Sequence, residues 1–146
     1  MNENLIYLIQ TDTIAGFVSR DAKKLAKVKR RPLNKPFLIN ADSFKTQKEL
    51  SRVPNKFKKR VRRAKKTTFI YPNKKAVRVI FDSKFKDFLK NFGWLYSTSA
   101  NESGKEFDFK FAFENADIIV EGGKGFQSKN ASYIYKLSKN RMKKIR

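Results

Sequence analysis

Short runs of apolar and β-branched residues alternate along the chain with segments in which apolar residues recur at helical spacing. These runs predict strands at residues 5–9, 37–39, 67–71, 76–81, 94–98, 117–120 and 133–137. Capping residues and apolar spacing predict helices from Asp21 to Lys29, after Asp42 and Ser43, after Pro54, and over residues 85–92. Because strands and helices interleave, the pattern predicts an α/β or α+β fold with a mixed sheet.

Length and composition fit a single domain. The chain has 146 residues, 40% of them hydrophobic and 14 of them Phe, so it can build a core. We expect the domain to span residues 1–138, with residues 139–146 as a loose basic tail. The net charge of +22 is extreme for this length, and it predicts an anionic partner: nucleic acid, anionic lipid or a nucleotide substrate.

Two absences narrow the chemistry. The sequence has neither Cys nor His, so it lacks disulfides, thiolate nucleophiles and the commonest general base and zinc ligand. We therefore predict no metal site and assign no catalytic residue. The longest apolar run, residues 5–9, is too short to cross a bilayer, and we expect a cytoplasmic protein with no membrane partner.

Residues 97–104, Ser-Thr-Ser-Ala-Asn-Glu-Ser-Gly, carry the most informative pattern. Small polar residues that follow an apolar strand are typical of a phosphate- or nucleotide-contacting strand end. Side chains two apart face one side of a strand, so Ser97, Ser99 and Asn101 would line one surface if the extended conformation persists. The alternative is a capped turn before a loop.

Two further segments suit an anionic ligand. In the basic loop, Lys29 and Lys35 offer point charges and Arg31 a planar fork, which together suit a polyphosphate; a solvated charge run is the alternative. Residues 11–13, Thr-Asp-Thr, follow the first strand, where short polar side chains often border a ligand cleft. A plain turn with a side-chain hydrogen bond is the alternative there.

The segment after Pro54 is strongly cationic. Phe57, Val61 and Ala64 give it a thin apolar seam, and no acidic residue neutralises it. Aromatic residues are scarce, so contact with phosphate backbones is favoured over base stacking and over a solvated face. The predicted RNA-binding residues are Lys56, Lys58, Lys59, Arg60, Arg62, Arg63, Lys65 and Lys66.

In this order the motifs resemble those of the YrdC-like family, the threonylcarbamoyl-AMP synthases. The resemblance covers most of the chain. Its motifs correspond to residues 9–16, to Lys29, Arg31, Pro32, Lys35 and Pro36, to residues 76–79, to the intact 97–104 motif, and to residues 131–134.

The resemblance implies a YrdC/RibB-like α/β domain: one twisted mixed sheet with flanking helices and a concave nucleotide site. It implies a nucleotidyltransferase that joins L-threonine, bicarbonate and ATP, with Mg²⁺ carried by the ATP. The product serves threonylcarbamoyladenosine formation in tRNA. Implied partners are tRNA or double-stranded RNA and other tRNA-modification proteins.

The resemblance also assigns site residues. ATP would be held by Lys29, Arg31, Ser99 and Asn101. The residues implied to lie near threonine or the nucleotide are Thr13, Lys35, Arg78, Ser97 and Ser132.

One departure keeps a second function open. The family turn Pro-Gly-Pro-x-Thr is replaced by Ala-Lys-Lys-Thr-Thr at residues 64–68, and the chain is shorter than typical members. The alternative is therefore a catalytically degenerate relative that keeps the fold and binds double-stranded RNA or tRNA.

Overall fold

A computed structural model of the chain describes residues 1–81, 83–127 and 130–146. Five helices are present in these ranges: α1 (Ala22–Lys29), α2 (Phe44–Leu50), α3 (Lys58–Arg63), α4 (Lys84–Leu89) and α5 (Phe109–Asn115). A 3₁₀ turn at Asn55–Phe57 precedes α3. The strands are β1 (Tyr7–Gln10), β2 (Ala15–Ser19), β3 (Leu38–Ala41), β4 (Thr67–Ile70), β5 (Ala76–Val79), β6 (Trp94–Ser99), β7 (Ile118–Val120), β8 (Tyr133–Leu137) and β9 (Met142–Lys144).

The strands of the described ranges form one mixed sheet in the order β7-β1-β2-β6-β3-β5-β4-β8-β9. The pairs β1–β7, β3–β5 and β4–β8 are parallel, and the other neighbouring pairs are antiparallel. The predicted α/β class, with a mixed sheet and flanking helices, is confirmed.

Capping places two of the helices where the sequence predicted them. The Asp21 carboxylate accepts from the Lys24 backbone N–H at the start of α1, and the Ser43 hydroxyl accepts from the Thr46 N–H at the start of α2. Helix α4 ends at Leu89, and Gly93, with φ +84°, a conformation that favours glycine, closes the turn that leads into β6.

The cationic segment is less helical than predicted. Helix α3 ends at Arg63, and Lys65 and Lys66 lie in the connection to β4, where Lys66 has φ +50°. Phe57 and Val61 are buried, so the apolar seam forms as expected, but over only two turns.

The prediction of a loose basic tail at residues 139–146 is wrong. Strand β9 pairs with β8 in register, with Leu137 opposite Met142, and forms the edge of the sheet. A tight turn joins the two strands, in which the Ser138 N–H donates to the Arg141 carbonyl at 2.9 Å.

The helices cover the two faces of the sheet unequally. Helices α1, α2, α3 and α5 pack on one face, where Tyr96 joins the two largest core clusters. On the other face, α4 packs Phe85, Phe88 and Leu89 against Tyr7 and neighbouring residues. The rest of that second face carries no helix of the described residues, and this opening positions the candidate site. No described helix is long and apolar enough to span a membrane.

Candidate nucleotide site

The uncovered part of the second face contains a cavity of about 370 Å³, here called the central cavity. That size is within the range of small-molecule sites. Strand residues two apart form its floor, as the alternation of side chains requires. Six strands and four segments outside the strands contribute to it, and their residues include Thr13, Gly16, Arg31, Thr68, Arg78, Ser97, Ser99, Ser132 and Arg146.

Strand β6 brings two of the predicted hydroxyls to this cavity. Ser99 lies opposite Gly16 and Ser97 opposite Val18 in the β2–β6 pair, and both serines line the central cavity. Gly16 leaves room there: a Cβ at this position would come within 3.1 Å of both Thr11 Cγ2 and the Thr98 carbonyl oxygen.

Asn101 does not share that surface, contrary to the expectation for an uninterrupted strand. Strand β6 ends at Ser99, Ala100 turns into the core, and Asn101 forms an isolated bridge with Phe107. Its side-chain amide donates to the carbonyl of Glu102 at 3.1 Å. A turn at Asn101 therefore follows the strand whose Ser97 and Ser99 line the cavity.

The basic loop delivers Arg31 to the same cavity as Ser99. Helix α1 ends at Arg30 in the left-handed conformation, which turns the chain toward the sheet. The Arg31 guanidinium donates to the Pro36 carbonyl at 2.8 Å and lies 4.5 Å from the centre of the Phe37 ring. Lys35 is exposed on this loop and is not part of the cavity lining.

Lys29 does not line the central cavity, although its motif predicts contact with a polyphosphate. Its side chain is buried, and its ammonium donates to the carbonyls of Ser99, at 3.0 Å, and Asn101. The Ser103 hydroxyl donates in return to the Lys29 carbonyl at 2.9 Å. Burial, with a smaller contribution from the charge of Arg31, lowers the pKa of Lys29 to about 8. Lys29 therefore ties helix α1 to the 97–104 motif.

Arg78 forms a buried ion pair within the cavity wall. Its Nη2 lies 2.9 Å from Asp12 Oδ1, and both side chains are largely buried. Burial lowers the pKa of Arg78, and the Asp12 carboxylate opposes that shift. The turn that holds Asp12 is closed by the Thr11 hydroxyl, which donates to the Ile14 carbonyl at 2.6 Å. The 11–13 segment is thus both a turn and a border of the cavity.

Sequence reasoning missed Arg146. Its guanidinium donates to the Ser132 carbonyl at 3.0 Å and the Ser132 hydroxyl at 3.3 Å, and it lines the cavity. Ser132 in turn is 3.0 Å from the Thr68 hydroxyl. A terminal basic run gave no sign of this placement, because only the pairing of β9 brings Arg146 to the site.

The lining of the central cavity is therefore suited to an anion. It contains the guanidinium groups of Arg31 and Arg146, together with that of Arg78, which is already paired with Asp12, and it has no Asp or Glu among its described residues. Nor do the described ranges contain a group of three or more Asp, Glu, His or Cys residues able to hold a metal ion.

The eight predicted RNA-binding residues are all exposed. Helix α3, which carries five of them, lies on the opposite face of the sheet from the central cavity, because its Val61 packs in the core of that face. The Arg60 guanidinium lies 5.1 Å from the Tyr135 ring centre, and the Lys56 ammonium donates to the Asn140 carbonyl at 3.1 Å. These contacts join α3 and the 3₁₀ turn before it to the β8–β9 hairpin. The hairpin adds exposed Lys144 on this face, where it lies opposite Tyr135 and over the Tyr133 ring; Lys143, the residue before it in the strand, faces the other side. We call the eight residues and Lys144 the basic face.

Fold and cavity together define an α/β domain with a cation-lined cavity over its open face. The sequence profile of the Sua5/YciO/YrdC family, described as "Telomere recombination", matches residues 1–146. The chain belongs to this family. A comparison with curated protein sequences finds no match.

Solved structures support the same fold. A doubly substituted Sua5 from P. abyssi matches with a TM-score of 0.84 at 18% identity, over 97% of this chain and 52% of that one. P. abyssi Sua5 complexed with L-threonine gives 0.78 at 18% identity, over 97% and 50%. YciO from E. coli gives 0.77 at 14% identity, over 98% and 82%. The chain spans about half the length of the two Sua5 structures.

Proposed function

We propose that the chain is a threonylcarbamoyl-AMP synthase that uses L-threonine, bicarbonate and ATP. The observation that carries the proposal is the meeting of Arg31, Ser97 and Ser99 with Arg78 and Ser132 around one cation-lined cavity. The fold neighbour Sua5 has been solved with L-threonine, which supports the choice of amino acid.

The reaction needs positioning and charge neutralisation more than a protein base. Threonine's amine first captures bicarbonate as a carbamate, with loss of water. A carbamate oxygen then attacks the α-phosphorus of ATP, and the bond to the β-phosphate oxygen breaks to release pyrophosphate. Arg31 would neutralise the phosphates, and the Ser97 and Ser99 hydroxyls would donate to them. Mg²⁺ would enter on the ATP, in keeping with a lining that lacks acidic residues.

Unlike Arg31, the other two proposed ATP-binding residues, Lys29 and Asn101, do not line the central cavity. Because Lys29 holds the carbonyls of Ser99 and Asn101, we propose that it supports the nucleotide site chiefly by fixing this motif. Thr13, Arg78 and Ser132 remain proposed neighbours of threonine or the nucleotide, and Lys35 would have to reach the ligand from its exposed loop.

The test is threonine- and bicarbonate-dependent pyrophosphate release from ATP. We expect release by the wild type and loss of about tenfold or more in ATP affinity for Arg31→Ala, since a charged hydrogen bond is worth roughly 1.5–3 kcal/mol. Arg30→Ala is the matched control, because Arg30 is exposed and outside the cavity lining. ATP binding without pyrophosphate release would instead support the catalytically degenerate relative.

We further propose that the basic face binds tRNA or double-stranded RNA. Nine exposed Lys and Arg residues on α3, its flanks and β9 present cations without acidic neighbours in sequence. Because the central cavity opens on the opposite face, RNA and ATP would not compete for one surface.

A further inference from the structure

A cavity of about 320 Å³ lies between helices α2 and α3, on the face of the sheet opposite the central cavity. We call it the interhelical cavity. Its volume, like that of the central cavity, is within the range of small-molecule sites. Phe44, Val53 and Val61 give it an apolar lining, which suits a flat, weakly polar group.

Four cations surround this cavity. Lys48 lies in the last turn of α2, and Arg52 follows that helix. Lys58 and Arg62 line the cavity from one side of α3, since they are four residues apart. All four are exposed, and the described lining contains no Asp or Glu. Because Lys58 and Arg62 also belong to the basic face, the cavity lies within the surface proposed to bind RNA.

A buried amide at this cavity has an unused acceptor. Gln47 lines the cavity and is 1% exposed. Its side-chain NH₂ donates to the Ser51 carbonyl at 2.9 Å, and its Oε1 accepts no hydrogen bond from the described residues. A buried acceptor without a donor is destabilising. A ligand that brings an N–H group to the bottom of the cavity would supply that donor.

The cationic surface continues past Arg52 into a wider basin of about 610 Å³. Arg52 lines both this basin and the interhelical cavity. The basin also contains Lys56, Lys139 and the side chains of three asparagines, with no Asp or Glu among its described residues. Cations and amides without carboxylates suit a phosphodiester backbone. A nucleic acid strand that follows the basin therefore passes the interhelical cavity at Arg52.

We propose that the interhelical cavity takes one unpaired base of an RNA bound to the basic face, while the flanking phosphates contact Arg52, Lys58 and Arg62. This inference rests on the proposed RNA binding of the basic face. The apolar lining, with the ring of Phe44, suits the faces of a base, and the surrounding cations suit the charge on either side of it.

The cavity would select the form of the RNA and not its sequence. Every RNA base carries an N–H donor on its Watson–Crick edge, so the acceptor of Gln47 would not favour one base strongly over another. In a continuous duplex these edges are paired and the bases are stacked, whereas loops and bulges present unpaired bases that a protein can take up. The basic face is therefore expected to prefer RNA with an unpaired nucleotide.

The test compares three blunt RNA duplexes: one continuous, one with a single bulged adenosine, and one with an abasic ribose in the bulge. The bulged and abasic duplexes carry the same phosphates, so they differ by the base alone. Uptake of one base should make the wild type bind the bulged duplex roughly 5- to 100-fold more tightly than the abasic one. All affinities are measured at one salt concentration, because the phosphate contribution varies with salt.

Two variants change the cavity without changing its charge. Val53→Phe fills it, and should abolish the preference for the bulged duplex while leaving binding of the continuous duplex unchanged. Phe44→Leu removes the ring but keeps most of the apolar volume, and should reduce the preference. Ile118→Phe is the matched control, because Ile118 is 40% exposed on edge strand β7 and does not line the cavity. Thermal unfolding checks that each variant folds.

Four outcomes are distinct. A wild-type preference that the cavity variants reduce and Ile118→Phe retains supports the base site. Equal affinity of the wild type for the bulged and abasic duplexes overturns the base site and leaves the RNA-binding basic face intact. A preference that persists in folded Val53→Phe and Phe44→Leu overturns it as well, since the base then binds elsewhere. A wild type that binds none of the duplexes overturns both proposals, and binding to phosphatidylglycerol vesicles would then identify a lipid-binding surface.

Discussion

At the scale of single residues, Lys29 is expected to couple its protonation to the shape of the proposed nucleotide site, because it holds two carbonyls of the 97–104 motif. In the folded protein its pKa is about 8, below its ordinary value of 10.5. Between these two values the unfolded chain binds more protons, so this group makes unfolding free energy rise with pH in that window. Deprotonation also removes the positive charge and one of the three N–H donors from the group that holds the carbonyls of Ser99 and Asn101. ATP affinity is therefore expected to fall as the pH rises through 8.

Calorimetric titration of ATP across that range measures the effect. Lys29→Arg keeps its charge at every pH used, because an arginine side chain titrates only above pH ~12. This variant should bind ATP with a flat pH profile. A wild-type affinity that does not change on either side of pH 8 would show that the charge of Lys29 does not support the site.

A second prediction at this scale concerns the buried pair of Arg78 and Asp12. Asp12→Ala leaves a buried guanidinium without its counter-charge, which should lower the free energy of unfolding by about 3–5 kcal/mol. Asp87→Ala is the control: its ion pair with Lys90, at 3.5 Å, is exposed and worth under ~1 kcal/mol. Urea unfolding measures both. Equal small losses would mean that water or another group compensates Arg78.

At the scale of elements, the strands with a clear apolar run were predictable and the unusual ones were not. Strand β8 has its predicted bounds, 133–137. Strand β2 was missed, since it is buried on both faces and lacks alternation. Helix α5 was missed because Phe109, Phe111 and Phe113 recur at a spacing of two, and β9 because it is basic and exposed along its length.

The candidate site likewise contains some residues that the sequence could predict and others that it could not. Arg31, Ser97 and Ser99 could be predicted because local motifs carry their chemistry. The ion pair of Asp12 and the placement of Arg146 depend on strands that meet only in the folded sheet, so no local pattern contains them.

Strand β9 supplies the prediction at this scale. Deleting residues 139–146 should expose buried Leu137 and remove Arg146 from the cavity. The loss of burial alone should cost roughly 1.5–3 kcal/mol, and ATP binding should weaken as well. The double variant Lys143→Ala/Lys144→Ala retains the strand and should keep both properties. Chemical unfolding and ATP titration distinguish an integral edge strand from a dispensable tail, which would show no change on deletion.

At the scale of the whole molecule, the sheet separates two charged surfaces. The central cavity needs few cations for one triphosphate, and most of the net charge of +22 lies elsewhere. The basic face has little exposed aromatic surface beyond Tyr133, which is 56% exposed beside Lys144. We therefore expect it to bind phosphate backbones with little base specificity.

The salt dependence of RNA binding tests this separation. If about six phosphates are neutralised, log K should fall against log salt with a slope of roughly −4 to −5, at ~0.7–0.9 per contact. Charge reversal at Arg60, Arg62 and Arg63 together should weaken tRNA binding and flatten that slope by about 2 to 3, with ATP affinity nearly unchanged because the cavity lies across the sheet. Reversal of Lys84 and Lys86 in α4 and of Lys90, which follows it on the other face, is the matched control and should alter the slope far less. An equal effect of the two triple variants would mean that RNA responds to the overall charge of the domain and not to the basic face.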